Sequence, residues 1–191
     1  MKKPILLVIG GFTGAGKTTL AHGLRRAVPA LASAYVMDID MTHREMLGYD
    51  LAYTMIDADY APDVMGRVYA LYDGQICRKL KIGQSVIEAS GGWSEERRGK
   101  LEEIACECGV DFRAFWLTAP WEVMGERIDQ RLAERASGQN LSAEKGHASD
   151  ACRGVLDRCK SLTPPSSPLW PLIDASKGAE DVLAEIRCSI V

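Results

Sequence analysis

The sequence predicts an α/β fold, a five-stranded parallel sheet sandwiched between helices. Three observations lead there. Short apolar runs alternate with stretches of helical periodicity along nearly the whole chain, five such pairs in all. The apolar runs are continuous rather than alternating, as in strands covered on both faces. The 191 residues, 47% hydrophobic and 26% charged, suit one domain with a sizeable core.

The elements follow in order. Residues 4–9 (PILLVI) read as a first buried strand rather than a leader, because the apolar run continues straight into a glycine motif. A helix over 17–28 ends before Pro29. Residues 33–40 (SAYVMDID) read as a second strand that delivers two acids at its carboxyl end. Val64, Val68, Leu71, Tyr72, Ile76 and Leu80 recur at helical spacing, which predicts a long helix over 63–81. Residues 84–90 form a short buried strand. Ser94 is a good N-cap for a helix whose apolar stripe is Leu101, Ile104, Ala105 and Cys108. Residues 111–118 are strand-like, and Pro120 opens a helix that runs to about 136. The polar, Gly/Ser-rich stretch 137–150 is a loop or lid. A short helix over 149–160, the stiff connector TPPSSP, a strand within 169–176 and a helix over 178–190 complete the chain.

Several function classes are excluded early. No apolar run approaches the roughly 20 residues of a membrane span. The six cysteines show no metal-type spacing, and the expectation is a reduced, cytoplasmic chain. A net charge of −3 offers no strand-binding surface, so a nucleic-acid partner is not favoured.

One motif carries the chemistry. Gly11-Phe12-Thr13-Gly14-Ala15-Gly16-Lys17-Thr18, followed by Thr19, fits the phosphate loop G-x-x-x-x-G-K-[ST] and joins a strand to a helix. Its glycines let backbone N–H groups wrap around phosphate, and the helix N-terminus adds positive potential. Gly11, Thr13, Gly14, Ala15, Gly16, Lys17, Thr18 and Thr19 are therefore expected on ATP, with Lys17 on the β- and γ-phosphates and the Thr18 hydroxyl on Mg²⁺. With this loop the fold becomes the three-layer P-loop nucleoside-triphosphate hydrolase type, strand order 2-3-1-4-5. A GTPase would need N-K-x-D, which is absent, and D-V-M-G at 63–66 follows no apolar strand. A motor would need a second acid after the third strand and more chain. A small kinase remains.

A kinase acting on a hydroxyl needs a carboxylate near its acceptor. Asp38 and Asp40, at the expected end of the second strand, would face the binding crevice. Asp40 is the expected base, and Asp38 either serves the acceptor or holds the metal with Thr18. His43 and Arg44, which follow them, are also expected on the acceptor, and Trp93, flanked by Gly92 at a strand end, could line the acceptor pocket. Tyr49, Tyr53 and Tyr60 mark an acceptor-side segment. Arg127, Arg131 and Arg135 recur at steps of four, a stripe suited to a lid over about 127–150 that neutralises the transferring phosphoryl group.

The phosphate loop, DIDMTHRE, SVIEAS, FWLTAP, ERIDQR, SDA (149–151) and LIDAS fall in an order that resembles the AAA_33-type P-loop kinases. That group is similar to zeta toxins, gluconate kinases and the kinase domain of polynucleotide kinases. The resemblance covers nearly the whole chain and implies Asp40 as acceptor base and Arg127 and Arg131 as lid arginines. Two positions depart from the pattern. Glu88 stands where aspartate is usual, and His43 where arginine is common. The expectation is one P-loop kinase domain over 1–191, a monomer or homodimer using ATP and Mg²⁺ on a small-molecule hydroxyl (a sugar, nucleoside, amino sugar or antibiotic). A polynucleotide 5′-hydroxyl acceptor, or a non-enzymatic regulatory or toxin-like role, are the alternatives.

Overall fold

The computed structural model describes residues 3–91 and 94–190. Its sheet has five parallel strands in the order β2-β3-β1-β4-β5. β1 (Ile5–Gly11) lies at the centre, with Leu7 beside Ile87 of β3 (Val86–Gly91) and Val8 beside Ala114 of β4 (Asp111–Thr118). Helices cover both faces of this strand, so Leu6, Leu7, Val8 and Ile9 are wholly buried. This burial explains a run with no polar alternation. The edge strands β2 (Tyr35–Met37) and β5 (Leu172–Asp174) are short, which limits the unpaired edge they present.

The helices are α1 (Lys17–Ala27), α2 (Ile39–Leu47), α3 (Pro62–Lys81), α4 (Glu95–Glu107), α5 (Trp121–Ser137), α6 (Arg153–Cys159) and α7 (Ala179–Ile190). α3 starts on a proline and buries Val68, Tyr72, Ile76 and Leu80, one stripe at steps of four. Leu71, expected in that stripe, is 40% exposed. The Ser94 hydroxyl accepts a hydrogen bond from the Arg97 amide and caps α4. Trp116 and Trp170 fill the core, and the Trp170 indole N–H donates to Glu102 at 3.0 Å.

One boundary differs in a way that matters. β2 stops at Met37 instead of running to Asp40. The Asp38 side chain accepts from the Asp40 amide at 2.9 Å and caps α2. This satisfies an N–H that the first helical turn leaves free, so the chain turns helical at Ile39. Asp40 consequently sits in the first turn of a helix, not at a strand end. α6 is also shorter than expected, beginning at Arg153 because residues 149–152 carry side-chain and backbone bonds to neighbouring elements.

Candidate active site

The phosphate loop lies between β1 and α1, and its backbone is held open by close packing. Gly14 has φ 80°, and a Cβ there would fall 2.4 Å from the Met124 carbonyl oxygen on α5. No side chain fits that gap, so the loop and α5 can approach only through glycine. Gly16, at φ 95°, is the N-cap of α1. Phe12 anchors the loop from behind, stacked on Trp121 at 5.5 Å and edge-on to Trp116 at 5.4 Å.

Lys17 bends back over this loop and donates to the Phe12 carbonyl at 3.0 Å. Burial lowers its pKa, and the Asp38 and Asp40 carboxylates oppose that shift. The Thr18 hydroxyl donates to Asp38 Oδ2 at 2.8 Å. Burial, reinforced by Asp40, raises the Asp38 pKa to about 7. Arg131 on α5 completes the cluster. It feels both Asp38 and Asp40, its Nη2 donates to the Ala151 carbonyl, and its Nε is buried without a partner. Lys17, Thr18, Asp38, Asp40 and Arg131 therefore meet around one point above the phosphate loop.

The α5 arginines separate in function along the helix. Arg127 donates to the Gly14 and Ala15 carbonyls at 3.5 Å and to the Ala175 carbonyl at 2.9 Å, tying the phosphate loop to the turn after β5. Arg135 leaves the cleft altogether. It pairs with Asp150 and donates to the carbonyls of Leu51 and Tyr53.

Two residues expected on the acceptor are used inside the protein instead. The first is Arg44, which is 1% exposed and donates to the carbonyls of Ala148, Asp50 and Tyr53 at 2.7 Å each, and to Asp150. The second is His43, also 1% exposed, whose Nε2 meets the Asp59 carbonyl at 2.8 Å. Because α2 begins at Ile39, residues 42–44 face inward beneath the loop that follows, while Asp38, Ile39 and Asp40 line the cleft. Trp93 lies outside the described residues.

Glu88, within β3, is wholly buried under α3. It accepts from the Tyr72 hydroxyl at 3.2 Å and from the Ser90 hydroxyl, while Oε2 has no partner. Burial raises its pKa.

These elements enclose a cleft of about 1300 Å³. Beyond Asp40 its wall is built from Met55, Asp57, Tyr60, Tyr69 and Arg97. Of these, Met55, Asp57 and Tyr60 fall in the acceptor-side segment expected from the sequence, residues 48–62. Tyr69 and Arg97 look like solvated helix positions in sequence, and nothing in their spacing distinguishes them. Tyr49 and Tyr53 stack on each other at 3.9 Å.

The opposite rim is the segment 137–150, latched to α1. Glu144 receives Arg25 at 3.3 Å and Arg26 at 3.0 Å, with His22 Nδ1 at 3.4 Å. His147 accepts from the Ser142 amide through Nδ1, so its Nε2–H donates to Glu134.

This geometry has known counterparts. Residues 6–161 match the family model AAA_33, described as an AAA domain. The chain belongs to that family. An adenylyl-sulfate kinase of Myxococcus xanthus is 28% identical over 137 residues, which span 72% of this chain and 70% of that protein. The Mycobacterium tuberculosis APS kinase solved with AMPPNP and APS superposes with a TM-score of 0.63 at 19% identity, covering 97% of this chain and 96% of the other. A gluconokinase from Sinorhizobium meliloti superposes at 0.58 and 16% identity, covering 98% and 92%. These likenesses establish the P-loop kinase fold for this AAA_33 chain. Among its described residues no helix is long and apolar enough to cross a membrane.

Proposed function

We propose that the protein is an ATP- and Mg²⁺-dependent phosphotransferase that moves the γ-phosphate to a hydroxyl of a small molecule. One observation carries the reading. A single cleft of about 1300 Å³ holds the phosphate loop at one end and the Asp57–Tyr60 wall at the other, with Asp40 and Arg131 between them. Ligand pockets for one small molecule commonly measure about 300–1,000 Å³, so this cleft has room for two. The kinase names of its relatives agree.

Lys17 would exchange the Phe12 carbonyl for phosphate oxygens. Arg131 would neutralise charge on the transferring group, and Asp40 would orient the acceptor hydroxyl and take its proton. The acceptor oxygen then bonds to the γ-phosphorus as the bridging O–P bond to ADP breaks. Thr18 and Asp38 fit Mg²⁺ because the pair supplies two hard oxygens at 2.8 Å from each other, enough for an ion that binds mainly through phosphates and water. Bound there, the ion would supply positive charge that offsets the charge of the phosphates.

Acceptor-dependent ADP release from a panel of hydroxyl compounds tests the assignment. Lys17→Ala should abolish the release, and unimpaired turnover in a folded Lys17→Ala protein would remove the phosphate-loop role.

A further inference from the structure

The acceptor wall has a charge pattern that restricts what can bind there. Asp57 and Tyr60 begin and end one 3-10 helix, Asp57–Tyr60. At three residues per turn, positions i and i+3 lie above each other. A carboxylate and an aromatic ring thus come to the same side of one turn, and both line the cleft. Tyr60 is 41% exposed, and His43 meets its ring at 5.2 Å with an interplanar angle of 85°, an edge contact that sets the ring's orientation. Among the described residues neither Asp57 nor Asp40 is in an ion pair; Lys17 and Arg131 still act on Asp40 from the phosphate side, so the uncompensated charge of this wall is that of Asp57.

Cations cannot balance that charge from this wall. Between residues 54 and 97 the only described cation lining the cleft is Arg97. Its Nη1 is taken by Asp73 at 2.7 Å, its guanidinium lies over the rings of Tyr69 and Tyr72, and its Nε and Nη2 are buried without a hydrogen-bond partner. Arg44 and Arg135 converge on Asp150 and are equally unable to reach an acceptor. Burial raises the Tyr60 pKa, Asp40 and Asp150 add to the shift, and Arg44 and Arg135 oppose it.

A carboxylate, phosphate or sulfate on the acceptor would meet like charge at Asp57, and the unpartnered nitrogens of Arg97, the described cation of this wall, are buried. A protonated amine would meet a carboxylate and a ring face, the two partners that recognise ammonium groups. We propose that the acceptor is a hydroxyl compound bearing a protonated amine, held by Asp57 and the face of Tyr60 with its hydroxyl at Asp40. This rests on the kinase reading and adds the charge of the substrate to it.

The test uses size-matched triplets: amino sugars and aminocyclitols beside their hydroxyl and carboxylate counterparts. Each is added to the AMPPNP·Mg²⁺-loaded protein for a melting-temperature shift, and to the ATP-loaded protein for ADP release. The amine member should shift and stimulate most. Asp57→Asn should raise its KM by roughly three- to tenfold, the scale of one partly exposed ion pair with a cation–π contact. Asp57→Lys should reverse the order, favouring the carboxylate. Equal or stronger responses to the neutral or acidic members, or no response to any amine, would overturn the proposal. Lys17-dependent AMPPNP binding would in that case leave the kinase reading standing. Absence of AMPPNP binding would instead remove the kinase reading, and amine shifts on the free protein would still decide the charge of the ligand.

Discussion

Asp38 is held by two hydrogen bonds, from the Thr18 hydroxyl and the Asp40 amide, whereas the Asp40 carboxylate has no ion-pair partner among the described residues. One acid is thus committed to the phosphate side, and the other is available to an acceptor. Asp40→Asn keeps the shape but removes the basic oxygen, and acceptor phosphorylation should fall by about 10²–10⁴-fold. AMPPNP affinity should change little, as measured by titration. Asp38 gives a pH signature. Its folded pKa of about 7 lies above the ordinary carboxylate value of 3.8, so between these values the folded state binds more protons than the unfolded. Stability from this group is therefore present at low pH and lost as pH rises through about 7. Ligand-free Asp38→Asn should gain melting temperature relative to wild type on going from pH 5 to pH 8. A flat difference would mean that Asp38 ionises normally.

α5 assigns its three arginines by height above the sheet. Arg127 bonds the phosphate loop and the turn after β5, Arg131 stands over Asp40 and Lys17, and Arg135 is locked to Asp150. If Arg131 acts on the transferring group, Arg131→Ala should lower kcat by about 10²-fold with a smaller change in the KM for ATP. Arg127→Ala should show mainly in that KM. Asp150 joins α2 to α5 by pairing with both Arg44 and Arg135. Asp150→Asn would leave buried guanidiniums undercompensated and should cost about 3–5 kcal/mol in urea unfolding. A loss below 1 kcal/mol would place this network in solvent.

Across the molecule, ligand and fold should be coupled through the cleft. AMPPNP·Mg²⁺ at a hundred times its Kd adds about 2.7 kcal/mol, which for a chain of this size raises the melting temperature by about 5–10 °C. Lys17→Ala should lose most of that shift. Much of the architecture was legible beforehand: α3, β4 and the starts of α4 and α5 come from periodicity, Ser94 and Pro120, and the strand order from the fold type that the phosphate loop implies. These features are local, since a run of apolar residues or a glycine that must accept phosphate states its requirement within a few positions. The destinations of Arg44 and His43 were not legible, because they depend on carbonyls at Ala148, Asp50, Tyr53 and Asp59, brought close only when α2 packs beneath its following loop. The same holds for Arg97, one arginine among the charges of α4 until Asp73 and two tyrosine rings surround it. The sequence by itself determined the sheet, the phosphate loop and the acid pair. Which charged side chains face the ligand and which are spent inside was decided by tertiary contacts, because a charge is neutralised by whatever lies within a few ångströms in space, however far apart in sequence.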